Sequence, residues 1–137
     1  MNRNTLCAIY ALIAAVALYG TWSQNLAYGP GLGGFLPDMK ANPAARSVTV
    51  DIFLMALSAS VFMAFEARRL RIRFVWAYVF FGMTVALSVT FPLFLIAREF
   101  AAARRGENVP GLALYDYAGL VLVTAAVGWL YWYTLFA

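Results

Sequence analysis

Residues 51–99 run DIFLMALSASVFMAFEARRLRIRFVWAYVFFGMTVALSVTFPLFLIARE. Two apolar runs flank an arginine-dense hinge (Arg68, Arg69, Arg71, Arg73). The first run carries an acid near each end, Asp51 and Glu66; the second contains Pro92 and closes on Arg98 and Glu99. Each run is long enough for a helix that crosses a hydrocarbon layer of about 30 Å, which takes about 20 residues. The pair therefore reads as a transmembrane hairpin. At a rise of about 1.5 Å per residue, the stretch from Asp51 to Glu66 is too short to cross that layer, so at least one of the two acids sits inside it or at its edge.

The rest of the chain supports a lipid solvent. Of 137 residues, 64% are hydrophobic and 12% charged, about half the charged share of an ordinary soluble domain. The expectation is one all-α domain over residues 1–137, an integral membrane bundle of four helices with spans at about 6–26, 44–67, 74–97 and 114–136. Between the first two spans, Gly29, Pro30, Gly31, Gly33, Gly34, Pro37 and Pro43 forbid a continuous helix. This Gly/Pro-rich loop carries Trp22, Leu26, Tyr28, Phe35, Leu36 and Met39 and is amphipathic, suited to the membrane interface. Asn42-Pro43 reads as an N-cap and first helical residue. Pro92 predicts a kink in the third span through its clash with the carbonyl of Ser88. Trp129, Tyr131, Trp132 and Tyr133 form an aromatic belt at the end of the fourth. The first run has a second reading as a signal peptide, with Arg3 as its basic end and Ala15-Val16-Ala17 as a cleavage site; its continuation to Tyr19 and Trp22 favours a first span.

The net charge of +4 is carried by arginine at the ends of apolar runs, which anchors helices and sets orientation and does not indicate nucleic-acid binding. With four straight spans the basic residues divide evenly. Arg3, Arg68, Arg69, Arg71 and Arg73 fall on one side, and Lys40, Arg46, Arg98, Arg104 and Arg105 on the other. The density of the hinge breaks the tie and predicts a chain in the cell (inner) membrane with the 66–73 hinge and both termini cytoplasmic.

The combination of Asn42, Asp51, Glu66-Ala67-Arg68-Arg69-Leu70, Ser88, Pro92-Leu93-Phe94-Leu95 and Arg98-Glu99 resembles the DUF2834 family of small, mostly bacterial membrane proteins of unknown function. The resemblance covers roughly residues 5–100. It implies a helical membrane fold and assigns no activity, cofactor or catalytic residue.

Histidine is absent and Cys7 is the single cysteine. His-ligated haem, the usual di-iron or copper sites, an internal disulfide and Ser-His or Cys-His nucleophiles are thereby excluded. No cofactor or metal is expected. Three readings of the intramembrane acids stand. In the structural one, Asp51 pairs with Arg98 or Arg46 and Asp116 caps the fourth helix. In the second, Gln24, Asn25, Asp51, Ser88, Pro92, Arg98 and Asp116 line a ligand pocket. In the third, a protonated Asp51 or Asp116 acts on an apolar, isoprenoid- or lipid-like substrate. Glu66 and Arg69, three apart, read as a local helix-end salt bridge, and Arg68, Arg69, Arg71 and Arg73 as a candidate site for anionic lipid headgroups. The leading expectation is a non-enzymatic subunit or partner- and lipid-binding element, either homo-oligomeric or part of a larger membrane complex. The alternative is an enzyme or transporter working through Asp51 and Asp116.

Overall fold

A computed structural model of the chain describes residues 1–29 and 31–136, apart from the side chain of Leu32. Pro30, counted above among the turn formers, lies outside the described residues. The architecture is all-α, and four helical stretches are long and apolar enough to span a membrane: Arg3–Ala27, Pro43–Leu70, Val75–Ala103 and Leu114–Phe136.

Helix α1 (Arg3–Ala27) starts on an Asn2 cap whose side chain accepts from the Thr5 N–H. The connection that follows is not wholly irregular. A two-turn helix, α2 (Gly31–Asp38), lies between breaks on either side. The glycines and prolines do prevent one long helix, yet two turns fit among them, with Pro37 confined to the last turn. Tyr28 donates to Asp38 Oδ2 at 2.5 Å, and its ring meets Phe35 edge-on at 5.9 Å. That bond holds the Tyr28 hydroxyl above the ordinary phenol range, chiefly through the hydrogen bond to Asp38. Helix α3 (Pro43–Leu70) begins as Asn42-Pro43 predicts: the Asn42 side chain accepts from the Ala45 N–H at 2.8 Å and Pro43 takes the first turn.

The third apolar stretch follows an unexpected path. Helix α4 (Val75–Phe81) runs into a π-helical turn at residues Gly82–Ala86, and α5 (Leu87–Ala103) leaves it in a new direction. Ala86 is extended, with φ −177° and ψ 133°. The arms lie side by side: Tyr78 meets Phe94 with ring centroids 5.6 Å apart, and Val75 shares a core with Phe94, Met63 and Ala67. On a straight helix Tyr78 and Phe94 would be about 24 Å apart. The stretch therefore doubles back, each arm reaching about 18 Å from the hinge. The kink placed at Pro92 falls instead at Gly82–Ala86; α5 runs through Pro92. Pro92 lies in the second turn of α5, where it leaves the Ser88 carbonyl without its usual N–H partner, yet the helix continues through it.

Small residues permit this fold-back. A Cβ on Gly82 would stand 2.8 Å from Thr90 Oγ1 and 3.1 Å from Leu87 Cδ1. Gly82 and Thr90, which sequence spacing sets on one helix face, in fact oppose each other across the hairpin. At the open end of the hairpin Leu70 packs with Ala101 and Ala102, so the end of α5 returns to the end of α3. Helix α1 lies antiparallel along α5, starting at the same end, where Arg3 meets Glu99. Helix α6 (Leu114–Phe136) starts there too, with Tyr117 Oη near the N-terminal amine. Further along, Tyr131 donates to the Val16 carbonyl at 3.1 Å, with its ring over Gly20. The N-terminus, the hinge and the 104–113 linker therefore share one end of the bundle, and the C-terminus lies toward the other. The expectation that both termini share a side rested on a straight third span.

Gly82→Val tests the fold-back. It loses about 1–3 kcal/mol in detergent unfolding by overpacking the turn, whereas Gly119→Val, where an added Cβ meets nothing within 4 Å, stays near wild type.

Candidate functional site

The doubling back gathers charge at the hinge end. Glu66, one turn before the end of α3, accepts from Arg69 Nε at 2.8 Å and pairs with Arg98 Nε at 3.4 Å. Arg98 Nη1 donates to Glu99 Oε1 at 2.7 Å. The other oxygen of Glu99 lies 3.5 Å from Arg3 Nε. Arg3 donates to the backbone carbonyl of Glu107, and Glu107 Oε1 accepts from Arg69 Nη1 at 2.7 Å. Three arginines and three glutamates from α1, α3, α5 and the linker thus form a closed circuit of zero net charge.

Burial decides what the circuit is worth. The Glu99 side chain is 6% exposed and its arginine partners 24% and 30%, so removing its charge strands two partly buried cations. The Arg69–Glu107 link is 44% and 37% exposed, so solvent screens it and it contributes little to stability. Arg3 Nε and Arg98 Nε are buried and, though near carboxylates, make no well-directed hydrogen bond.

Beside the circuit the hinge opens a cavity of about 580 Å³, lined by Arg68, Arg71 and Arg73 together with Ala67, Ile72, Phe74, Val75, Trp76 and Ala77. None of these three arginines enters an ion pair among the described residues. Arg71 closes α3 in the left-handed region (φ 55°), with its own N–H and that of Ile72 satisfying Ala67 O. Phe74 opens α4 in the same region (φ 60°). Glycine is the usual residue at such a cap, and a side chain there costs about 1 kcal/mol. The Arg73 guanidinium sits 5.6 Å from the Phe74 ring centroid, and Phe74 and Trp76 are both largely exposed.

The candidates from sequence separate. Arg98 pairs with Glu66 and Glu99, not with Asp51, because the fold-back carries it to the hinge. Asp51 is exposed on α3, about 22 Å from Glu66 at helical rise. Asp116 is near the hinge end, where Oδ2 accepts from the Ala113 N–H at 2.8 Å and caps the start of α6. Asp51 and Asp116 therefore do not share a pocket. Gln24 and Asn25 line a cavity of about 280 Å³ with Ala27, Tyr28 and Phe35, beside α2 at the opposite end from the hinge. Ser88 is exposed and Pro92 buried on α5. Arg69, read from sequence both as the partner of Glu66 three residues away and as one of the lipid-facing arginines, is held by Glu66, as that pairing expects, and also by Glu107. Arg3, Glu99 and Glu107 are the participants that sequence reasoning missed. Their available signal was charge near apolar runs with no partner assigned.

Fold and site define a small all-helical protein suited to a membrane, with its ionic groups concentrated at one end. Residues 7–100 match DUF2834, described as a protein of unknown function, and the chain belongs to that family. The match covers α1 through most of α5 and leaves out Arg3, Glu107 and α6. Part of the pattern that carried the resemblance comes together, since Arg98 bridges Glu66 and Glu99, Arg69 holds Glu66, and Phe94 is fully buried in one core with Met63 and Ala67; Asn42, Asp51 and Ser88 lie apart from it. No curated protein and no solved structure matches the chain.

Glu99→Gln lowers stability by about 2–3 kcal/mol, less than the 3–5 of a fully buried pair because both arginines keep some exposure. Asp51→Asn does not destabilise. Unfolding of the two variants in detergent checks both.

Proposed function

We propose that this protein is a non-enzymatic membrane element, a lipid- and partner-binding component, that engages anionic lipid headgroups through Arg68, Arg71 and Arg73. The observation that carries this reading is the hinge groove: three arginines that make no ion pair among the described residues, open to the surroundings, beside two exposed aromatic rings. An indole such as that of Trp76 favours the headgroup level, and arginines near a charged leaflet each contribute about 1 kcal/mol. Separation of Asp51 from Asp116 removes the support for a shared catalytic or transport site. Helix α6, none of whose described residues is buried, offers an apolar face to lipid or a protein partner.

The same geometry supports an orientation. Eight of the ten basic residues, all but Lys40 and Arg46, gather at the hinge end. The even division expected from straight spans no longer applies, and the bias favours a cytoplasmic hinge and N-terminus with the C-terminus across the cell membrane.

Two measurements test the reading. Replacing Arg68, Arg71 and Arg73 together by glutamine weakens anionic-lipid retention by about 3 kcal/mol, roughly a hundredfold in affinity, as read by native mass spectrometry; wild-type retention would sink it. Reporter fusions place the N-terminus in the cytoplasm and the C-terminus outside. A cytoplasmic signal from both contradicts the orientation.

A further inference from the structure

Three features of the hinge groove go beyond general attraction to an anionic surface. Its lining contains three guanidinium groups and no carboxylate; two acids of the hinge end, Glu66 and Glu107, are already engaged by Arg69. Uncompensated charge of this size exceeds what a phosphodiester headgroup, with one negative charge and two free oxygens, neutralises. A terminal phosphate presents three oxygens and close to two charges near neutral pH, and forked guanidinium donors pair with such oxygens.

The second feature is backbone conformation. Arg71 occupies a left-handed cap where glycine fits better, so retaining a side chain there has a conformational cost. Strain of this kind points to use of the side chain. The third is the rest of the lining. Ala67, Ile72, Phe74, Val75 and Ala77 are apolar, which suits the glycerol and upper acyl region of a lipid and offers a free phosphate ion nothing. The cavity, about 580 Å³, falls within the usual range for small-molecule sites, about 300–1,000 Å³.

We infer that the groove formed by Arg68, Arg71 and Arg73 with Phe74 and Trp76 selects a lipid bearing a terminal phosphate over phosphodiester lipids. This rests on the anionic-lipid reading above and narrows its ligand.

The test titrates the detergent-solubilised full chain with phosphatidate or phosphatidylglycerol of matched acyl chains, read by native mass spectrometry. Phosphatidate binds at least tenfold tighter. Arg71→Gly brings its affinity down to that of phosphatidylglycerol while thermal stability stays level or rises, because glycine suits the cap. Arg73→Gln, away from the cap, repeats the loss of preference and stands in if the glycine variant fails to fold. Equal binding of the two lipids overturns the selectivity and leaves the broader reading intact. Binding of neither overturns both. Displacement of phosphatidate by equimolar inorganic phosphate also overturns the inference, since the site would then be one for a soluble anion.

Discussion

Charge at the edge of hydrocarbon has to be paired, and here the pairing constrains the whole chain. Glu99 is almost fully buried at the end of an apolar helix, where a lone carboxylate is costly. Its partners are Arg98 beside it and Arg3 at the start of α1. Arg98 in turn reaches Glu66 on α3. These contacts require residues 98 and 99 to return to the level of residues 66–69, which a straight third span would forbid. The fold-back supplies that return, and it depends on a glycine at 82 that lets Thr90 and Leu87 close against the turn. The ionic circuit and the hairpin are two halves of one constraint.

The circuit also sorts residues that look alike in sequence. Arg3, Arg69 and Arg98 are consumed by glutamates and serve the architecture. Arg68, Arg71 and Arg73 are left over, one on the last turn of α3 and two in the hinge, where they favour the helix C-terminus or face an open groove. Neighbouring arginines in one short hinge thus have different work, and the difference follows from which face of α3 points at α5 and the linker.

Much of the architecture was legible in the chain. Hydropathy locates all four helical stretches, and local chemistry locates their starts: Asn42-Pro43 for α3, and Asp116 reaching back to the Ala113 N–H for α6. The path of the third stretch was not legible, because hydropathy reports the solvent of a segment and not its direction. Pro92 drew the kink to itself by the ordinary rule, but α5 continues through it. The turn was made instead by glycine packing across a distance that no local pattern encodes. One clue was present: Arg98 and Glu99 needed partners, and Glu66 and Arg69 were complementary. Linking them required abandoning the straight span, and with it the even division of basic residues and the pairing of Arg98 with Asp51.

The two ends of the third apolar stretch lie together, and a distance between them can be measured. Spin labels at Arg73→Cys and Arg104→Cys, both exposed positions, on a Cys7→Ser background report it by double electron–electron resonance in lipid. A doubled-back stretch gives a separation below about 25 Å, whereas a straight helix between those positions gives about 45 Å. The longer distance would contradict the fold-back, and with it the ionic circuit and the division of arginines built upon it.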